Sequence, residues 1–195
     1  PDRYPYSVVD GQLFSDRYDW QDPFGANIVF DPRTRAPIYR TKQYGINAQR
    51  PMTVVPAGEN RLRIQASIRN EPPPPGSVLI TYGVKPTNRL CPAIHVANSK
   101  DIVLENVTVH EAGGMGLIVE RTENVHLNHM VVTSNPERLV STRADATHFI
   151  GCKGVIRLEN CLFEHMLDGG INVHGAYVKV IAPLGDRRFL CEISH

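Results

Sequence analysis

At 195 residues the chain is long enough for one sizeable core, or for one domain carrying a smaller insert. Its 21 basic and 20 acidic residues nearly cancel and form no like-charge block, so charge marks neither a nucleic-acid nor a membrane-surface partner. No apolar run approaches the ~18 residues of a membrane helix. The chain begins at Pro1 with no signal-peptide pattern and stops inside the strand-like "FLCEISH", so it reads as a piece of something longer.

The first ninety residues are irregular. "ANIVFD", "APIYRTK", "MTVVPAG", "NRLRIQASI" and "SVLITYG" read as strands joined by Pro and Gly turns. The run "NEPPPPG" is an extended loop, because proline has no N–H to give to a ladder. These elements predict an N-terminal antiparallel β unit over residues 1–90, packed on or inserted before the C-terminal half.

The second half repeats. "IVLENVTV" from Ile102, "VHLNHMVV" from Val125 and "IRLENCLF" from Ile156 each alternate apolar and polar residues, the period-two pattern of a strand. Their starts lie 23 and 31 residues apart. A shorter strand precedes each one ("AIHVANS", "GLIVERT", "HFIGCKG"), and a glycine-rich or polar turn comes after it. This period without a helix signal predicts a solenoid, and the fixed Leu and Asn frame of leucine-rich repeats is missing. A parallel β-helix over residues 91–195 fits, with coils about 4.8 Å apart. Asn106 and Asn160 fall at equivalent places, with His129 between them, and are expected to ladder their amides at a bend. The eight extra residues of the longer repeat are placed at "SNPERLVS", as a projecting loop.

Four cysteines, Cys91, Cys152, Cys161 and Cys191, form no CxxC pair and read as free thiols. The eight histidines make no HExxH or Cys/His cluster, so no metal or other cofactor is expected.

Two acids stand out. Asp145 in "STRADATHF" and Asp168 in "MLDGGINVHG" are 23 residues apart, one solenoid turn, which predicts that they share an edge of adjacent coils near Arg143. Two carboxylates held ~5–9 Å apart suit glycoside hydrolysis, one as acid and the other as base or nucleophile. The competing reading makes both of them turn residues that cap backbone amides. Asn172 and His174 alternate along one strand and so face the same way, as sugar-binding groups or as a structural ladder. His148 is assigned equally to the coil interior or to the site, and His95, His110 and Glu111 to the walls of neighbouring coils.

The stretches "GGMGLIVERTENVHLN", "RADATHFIGCKGVI" and "MLDGGINVHGAYVKV" together resemble the α-1,3-galactosidases of glycoside hydrolase family 110, over roughly Ile94 to Val180. The resemblance implies an all-β fold: a right-handed parallel β-helix with smaller β-barrel domains, so that residues 1–90 hold a barrel-like unit and residues 91–195 carry the site. It also implies removal of terminal α-linked galactose from glycans, blood-group B-type among them, with inversion and without a metal. Asp145 falls on the acid of the family's "ADATH" and Asp168 on the first acid of its "DDAINVHG". Asn172, His174 and Gly175 match the end of that motif. Gly169 stands where the family has its second Asp.

The expected function is therefore a glycosidase acting on terminal α-galactosides. Asp145 and Asp168 are its catalytic pair, and Arg143, Asn172 and His174 its substrate-binding residues. Two other readings remain: a carbohydrate-binding relative that lost an acid at Gly169, or a structural β-helix segment. The substrate class places the protein in the periplasm or outside the cell.

Overall fold

The computed structural model describes residues 6–9, 12–15, 20–22, 27–41, 44, 52–59, 61–67, 71–81 and 89–194. Ala26, Lys42, Asn60, Ile68, Asn70, Tyr82 and Gly83, at the ends of strands and loops expected from the sequence, lie outside them. Among the described residues there is no α-helix, and the chain is all-β. It divides into two compact units, Pro1–Leu90 and Cys91–His195.

The first unit is antiparallel throughout its named pairings. Strands β1 (Tyr6–Val9), β2 (Gln12–Ser15) and β3 (Trp20–Asp22) form a meander. Strand β4 (Asn27–Asp31) pairs with β5 (Ala36–Pro37) on one side and β8 (Val78–Thr81) on the other. Strands β6 (Met52–Pro56) and β7 (Leu62–Ala66) make a hairpin. Among the described residues of this unit Val29, Phe30 and Val54 are the buried apolar side chains. The proline run closes in a turn: Ser77 N–H donates to Pro74 O at 3.1 Å, with Gly76 at φ 85°. Proline at the second position and a left-handed glycine at the third are what a type II turn requires.

In the second unit three coils each contribute a strand to three parallel sheets, and a fourth adds one strand to the first of them. The first sheet holds β9 (Ile94–Ala97), β12 (Leu117–Glu120), β15 (Thr147–Ile150) and β18 (Ile171–His174). The second holds β10 (Lys100–Glu105), β13 (Glu123–Asn128) and β16 (Lys153–Glu159). The third holds β11 (Thr108–Val109), β14 (Val131–Val132) and β17 (Leu162–Phe163). The three aligned stretches of the sequence pair in parallel, with Ile102 opposite Val125 and Val125 opposite Ile156. An antiparallel hairpin, β19 (Tyr177–Pro183) and β20 (Phe189–Ser194), comes after the last coil.

Register and alternation together stack apolar side chains in columns on the inner face of the sheets, as in Ile102, Val125 and Ile156 and in Leu104, Leu127 and Leu158. Leu117, Val119, Val125, Leu127, Met130, Val132, Ala146 and Phe149 are at most 1% exposed and form one cluster, edged by Ile94, Leu104, Ile156, Leu158 and Phe163. Cys152 and Cys161 are half-buried free thiols at corners of the coil. Cys152 stands in a column with Ser99 and Thr122. Each of the three turns its hydroxyl or thiol onto the carbonyl two residues back.

The corners are built from left-handed residues. Asn98, Arg121 and Gly151 come after the first sheet at φ 51°, 46° and 59°, and Asn106, His129 and Asn160 after the second at 56°, 53° and 53°. Asn, Asp and Gly tolerate this conformation best, which explains their recurrence. The amide ladder expected between Asn106 and Asn160 is replaced by a diagonal one. Asn160 Nδ2 donates to Asn128 Oδ1 at 3.3 Å, and Asn128 Nδ2 donates to Glu105 Oε1 at 3.0 Å. Backbone conformation, and not an amide stack, is what these positions share.

The eight extra residues divide. The turns 110–116 and 164–170 hold seven residues each and the turn 133–146 holds fourteen, so seven of the eight lie in that loop. The eighth is absorbed in β16, where the register slips between Glu123 and Val125. Gly154 sits at this bulge with φ 73°, and a Cβ there would run into Asn124 Oδ1. Loop Arg138 ties back to Glu111 at 3.2 Å.

Leu127→Ala should cost about 2–5 kcal/mol in denaturant unfolding, because Leu127 is fully buried and its neighbours are held by the ladder. Val103→Ala, on the outward face of β10 with 61% exposure, should stay within about 0.5 kcal/mol. Equal effects would reject the inward and outward assignment of these faces.

Candidate functional site

The turns that lead into β15 and β18 are clamped backbone to backbone. Ala144 N–H donates to Gly114 O, Gly116 N–H to Asp145 O, Ala146 N–H to Gly169 O and Thr147 N–H to Gly170 O, at 2.9–3.1 Å. Ser141 Oγ donates to Glu164 O at 2.7 Å and closes the start of the turn. Ala144 and Ala146 are fully buried on either side of Asp145, which fixes the direction of the side chain between them.

Asp145 as a whole residue is 5% exposed, and N–H donors surround its carboxylate oxygens. Gly169 N–H donates to Oδ1 at 2.8 Å and Asn172 Nδ2 to Oδ2 at 3.4 Å, while His148 Nδ1 lies 2.6 Å from Oδ2. A buried carboxylate is costly unless its lone pairs are met, and here they are met from two coils. His148, itself 9% exposed, continues the chain: its Nε2 lies 2.8 Å from Nε2 of His174. The two rings meet edge to face at 4.9 Å. His174 stacks on Tyr177 at 4.8 Å, and its Nδ1 donates to Gly175 O at 2.7 Å.

The position of the acids differs from a simple one-turn repeat. The 23-residue spacing predicts that Asp168 sits opposite Asp145. Here the register is 24, with Thr147 opposite Ile171 and His148 opposite Asn172, so Gly169 is the residue over Asp145. Asp168 is one position earlier and exposed. Arg143 is half-buried in the same turn as Asp145, with its N–H on Ala112 O at 3.2 Å. Asn172 and His174 do share a face, and both join the network on Asp145.

Sequence reasoning left His148 undecided between interior and site. The parity of β15 decides it: Thr147 and Phe149 are fully buried, so His148 takes the other face. Counting outward from Phe149, the large apolar residue of "THFI", was the available signal. The wall residues pair laterally, His95 with Glu120 at 3.2 Å and Glu111 with Arg138. Glu164, at the turn before β18, accepts from Thr133 Oγ1 at 2.6 Å. Among the described residues no three His, Cys, Asp or Glu side chains are grouped as a metal centre needs.

The family model of GLAA-B beta-barrel domain I matches residues 1–79. The chain is 31% identical to "Alpha-1,3-galactosidase B" of Parabacteroides distasonis, over 97% of this chain and 30% of that protein. It is 30% identical to the protein of the same name from Akkermansia muciniphila, over 98% of this chain and 24% of the relative. A third, from Phocaeicola vulgatus, is 34% identical over 90% of this chain and 28% of its own length. The chain therefore spans 24 to 30% of the length of these relatives. With a barrel-domain match in its first unit and galactosidase relatives aligned across both units, the chain is a glycoside hydrolase family 110-like protein.

Proposed function

We propose that the protein containing this chain removes terminal α-1,3-linked galactose from glycans with inversion, and that Asp145 and Asp168 are its carboxylate pair. The observation that carries the proposal is the Asp145 carboxylate, buried and held by Gly169 N–H, Asn172 and His148, inside the motif that aligns with α-1,3-galactosidases. The three parallel sheets and their left-handed corners support reading the second unit as a segment of a right-handed parallel β-helix. A glycan substrate goes with a periplasmic or secreted location.

The two acids differ in solvent access, and this divides their roles. Asp168, exposed, is the carboxylate that water reaches, and it takes the proton from the attacking water. Asp145, sheltered and tied to an imidazole, gives a proton to the leaving oxygen as the glycosidic bond breaks. The bond electrons stay on that oxygen, and water closes on the opposite face of the sugar. Asn172 and Arg143 line the same region and bind sugar hydroxyls, while His174 serves Asp145 by way of His148.

Gly169 favours a second reading, a carbohydrate-binding relative. In the family motif that this stretch resembles an acid stands where this chain has Gly169, the residue directly over Asp145. Release of galactose from an α-1,3-galactosyl oligosaccharide by the full protein separates the two. Turnover with inverted product supports the enzyme. Binding without turnover supports the lectin-like reading.

Two substitutions sharpen the test. Asp145→Asn should lower kcat about 10²-fold or more, the usual worth of a general acid, as measured by galactose release. A Cβ on Gly169 would sit 3.1 Å from Asp145 Oδ1, and the glycine is not left-handed, so a side chain fits after a shift of a few tenths of an ångström. Gly169→Ala and Gly169→Asp should each lose about 1–3 kcal/mol in a thermal melt from this crowding. Only Gly169→Asp should raise turnover, about tenfold, with sugar affinity held within a few fold. A folded Gly169→Asp protein with unchanged or lower turnover would make the glycine a turn residue and leave Asp168 as a sufficient base.

A further inference from the structure

We propose that His148 and His174 together hold one proton more than two neutral imidazoles carry, and that this shared imidazolium supplies the proton Asp145 delivers. The proposal deepens the reading of Asp145 as general acid and rests on it. It comes from counting hydrogens across contacts that all need one. A carbonyl cannot donate, so the 2.7 Å contact with Gly175 O requires a proton on His174 Nδ1. Two nitrogen lone pairs 2.8 Å apart repel, so the contact between the Nε2 atoms requires one as well. The 2.6 Å contact between His148 Nδ1 and Asp145 Oδ2 requires a third.

Three protons are needed, and two neutral rings bring two. The third makes one ring an imidazolium or resides on Asp145 as a carboxylic acid. These forms interconvert by one shift across the 2.6 Å contact. The His148 Nδ1–H bond breaks and its electron pair stays on the nitrogen. An O–H bond forms on Oδ2, and the opposite charges of ring and carboxylate both vanish. The side chain of Asp145 is only 7% exposed and that of His148 11%, so protons reach the carboxylate through the rings more readily than from water directly. His148 and His174 are positioning residues: they act through Asp145.

The groups packed around the pair agree with a single added charge. Asp145 faces His148 from its own coil, Asn172 and His174 come from β18, and Tyr177 of β19 stacks on His174. On the preceding coil Ile118 lies beside His148 and Glu120 beside Ile150, whose other neighbour is His174. Arg143 and Asp168 stand in the two turns that lead into these strands.

The test is ¹⁵N-histidine NMR of the full protein through a pH titration, with His174→Gln and His148→Asn identifying the signals and a kcat–pH profile alongside. In the wild type the two rings should give up one proton in a single step seen on both, and kcat should fall as pH rises through that step. His174→Gln keeps a side-chain amide near the Nε2 position and cannot hold the charge. It should abolish the shared step, remove that alkaline limb and lower kcat about tenfold or more, with KM within about threefold. Two rings that each carry one N–H and titrate independently would overturn the proposal, and so would an alkaline limb unchanged in His174→Gln. Should the variants fail to fold, the wild-type proton count decides. A wild type that releases no galactose removes the catalytic reading, yet the NMR count still stands or falls by itself.

Discussion

The coils of the second unit turn from sheet to sheet on single residues with positive φ. Asn98, Arg121 and Gly151 make one such corner, Asn106, His129 and Asn160 another. A left-handed residue bends the chain sharply within a single position, so one strand passes into the next sheet without a long connection. Parallel pairing then locks each coil to the next, and a slip of one residue would turn every side chain to the wrong face. The inward column Val96, Val119 and Phe149 depends on that lock. So does the outward direction of His148, between Thr147 and Phe149.

The same lock places the polar network. Asp145 lies between two fully buried alanines in a turn whose backbone amides and carbonyls are bonded to the coils before and after. It is a loop residue held with the rigidity of a strand. Polar side chains on the last coil then close over it, Asn172 directly and His174 by way of His148. Because those donors come from a neighbouring coil, the geometry around the carboxylate is only as good as the register between β15 and β18. That is a reason for the tight, glycine-bearing turn before β18: it lets Gly169 N–H approach Oδ1 with no side chain between.

Much of this was legible in the sequence, and the failures have a common cause. Alternation gave the strands of the second unit and their inward residues, since burial imposes a period of two on any sheet face. Repeat spacing gave the pairing of Ile102, Val125 and Ile156. It failed where a turn changed length by one. The spacing of Asp145 and Asp168 matched the 23-residue repeat seen earlier in the chain, whereas these two coils run in a register of 24. The bulge at Gly154 hid another single residue inside what read as one projecting loop. Period-two patterns report which face a side chain takes; they do not report single insertions in turns, because turn residues have no partner face to betray the slip. His148 was lost for a related reason. A histidine is compatible with either face, and only the apolar Phe149 beside it settles the parity.

Charge balance gives Gly169 a second meaning beyond steric room. Asp145 is the carboxylate that the network buries, and the added proton proposed for the histidine pair gives it one matching positive charge. The cluster then carries no net charge, and the attraction within it offsets part of the desolvation cost of burying the pair. A second acid directly over Asp145 would add a negative charge 24 residues along the chain and within the same shell of donors. That arrangement demands a further cation, a solvent path or a shared proton, as paired carboxylates at short range do. With glycine there, Gly169 N–H, Asn172 and His148 meet Asp145, and Asp168 lies exposed one position earlier. The residue at position 169 therefore bears on how protons are held around Asp145, and the histidine pair is the part of the site that responds to it.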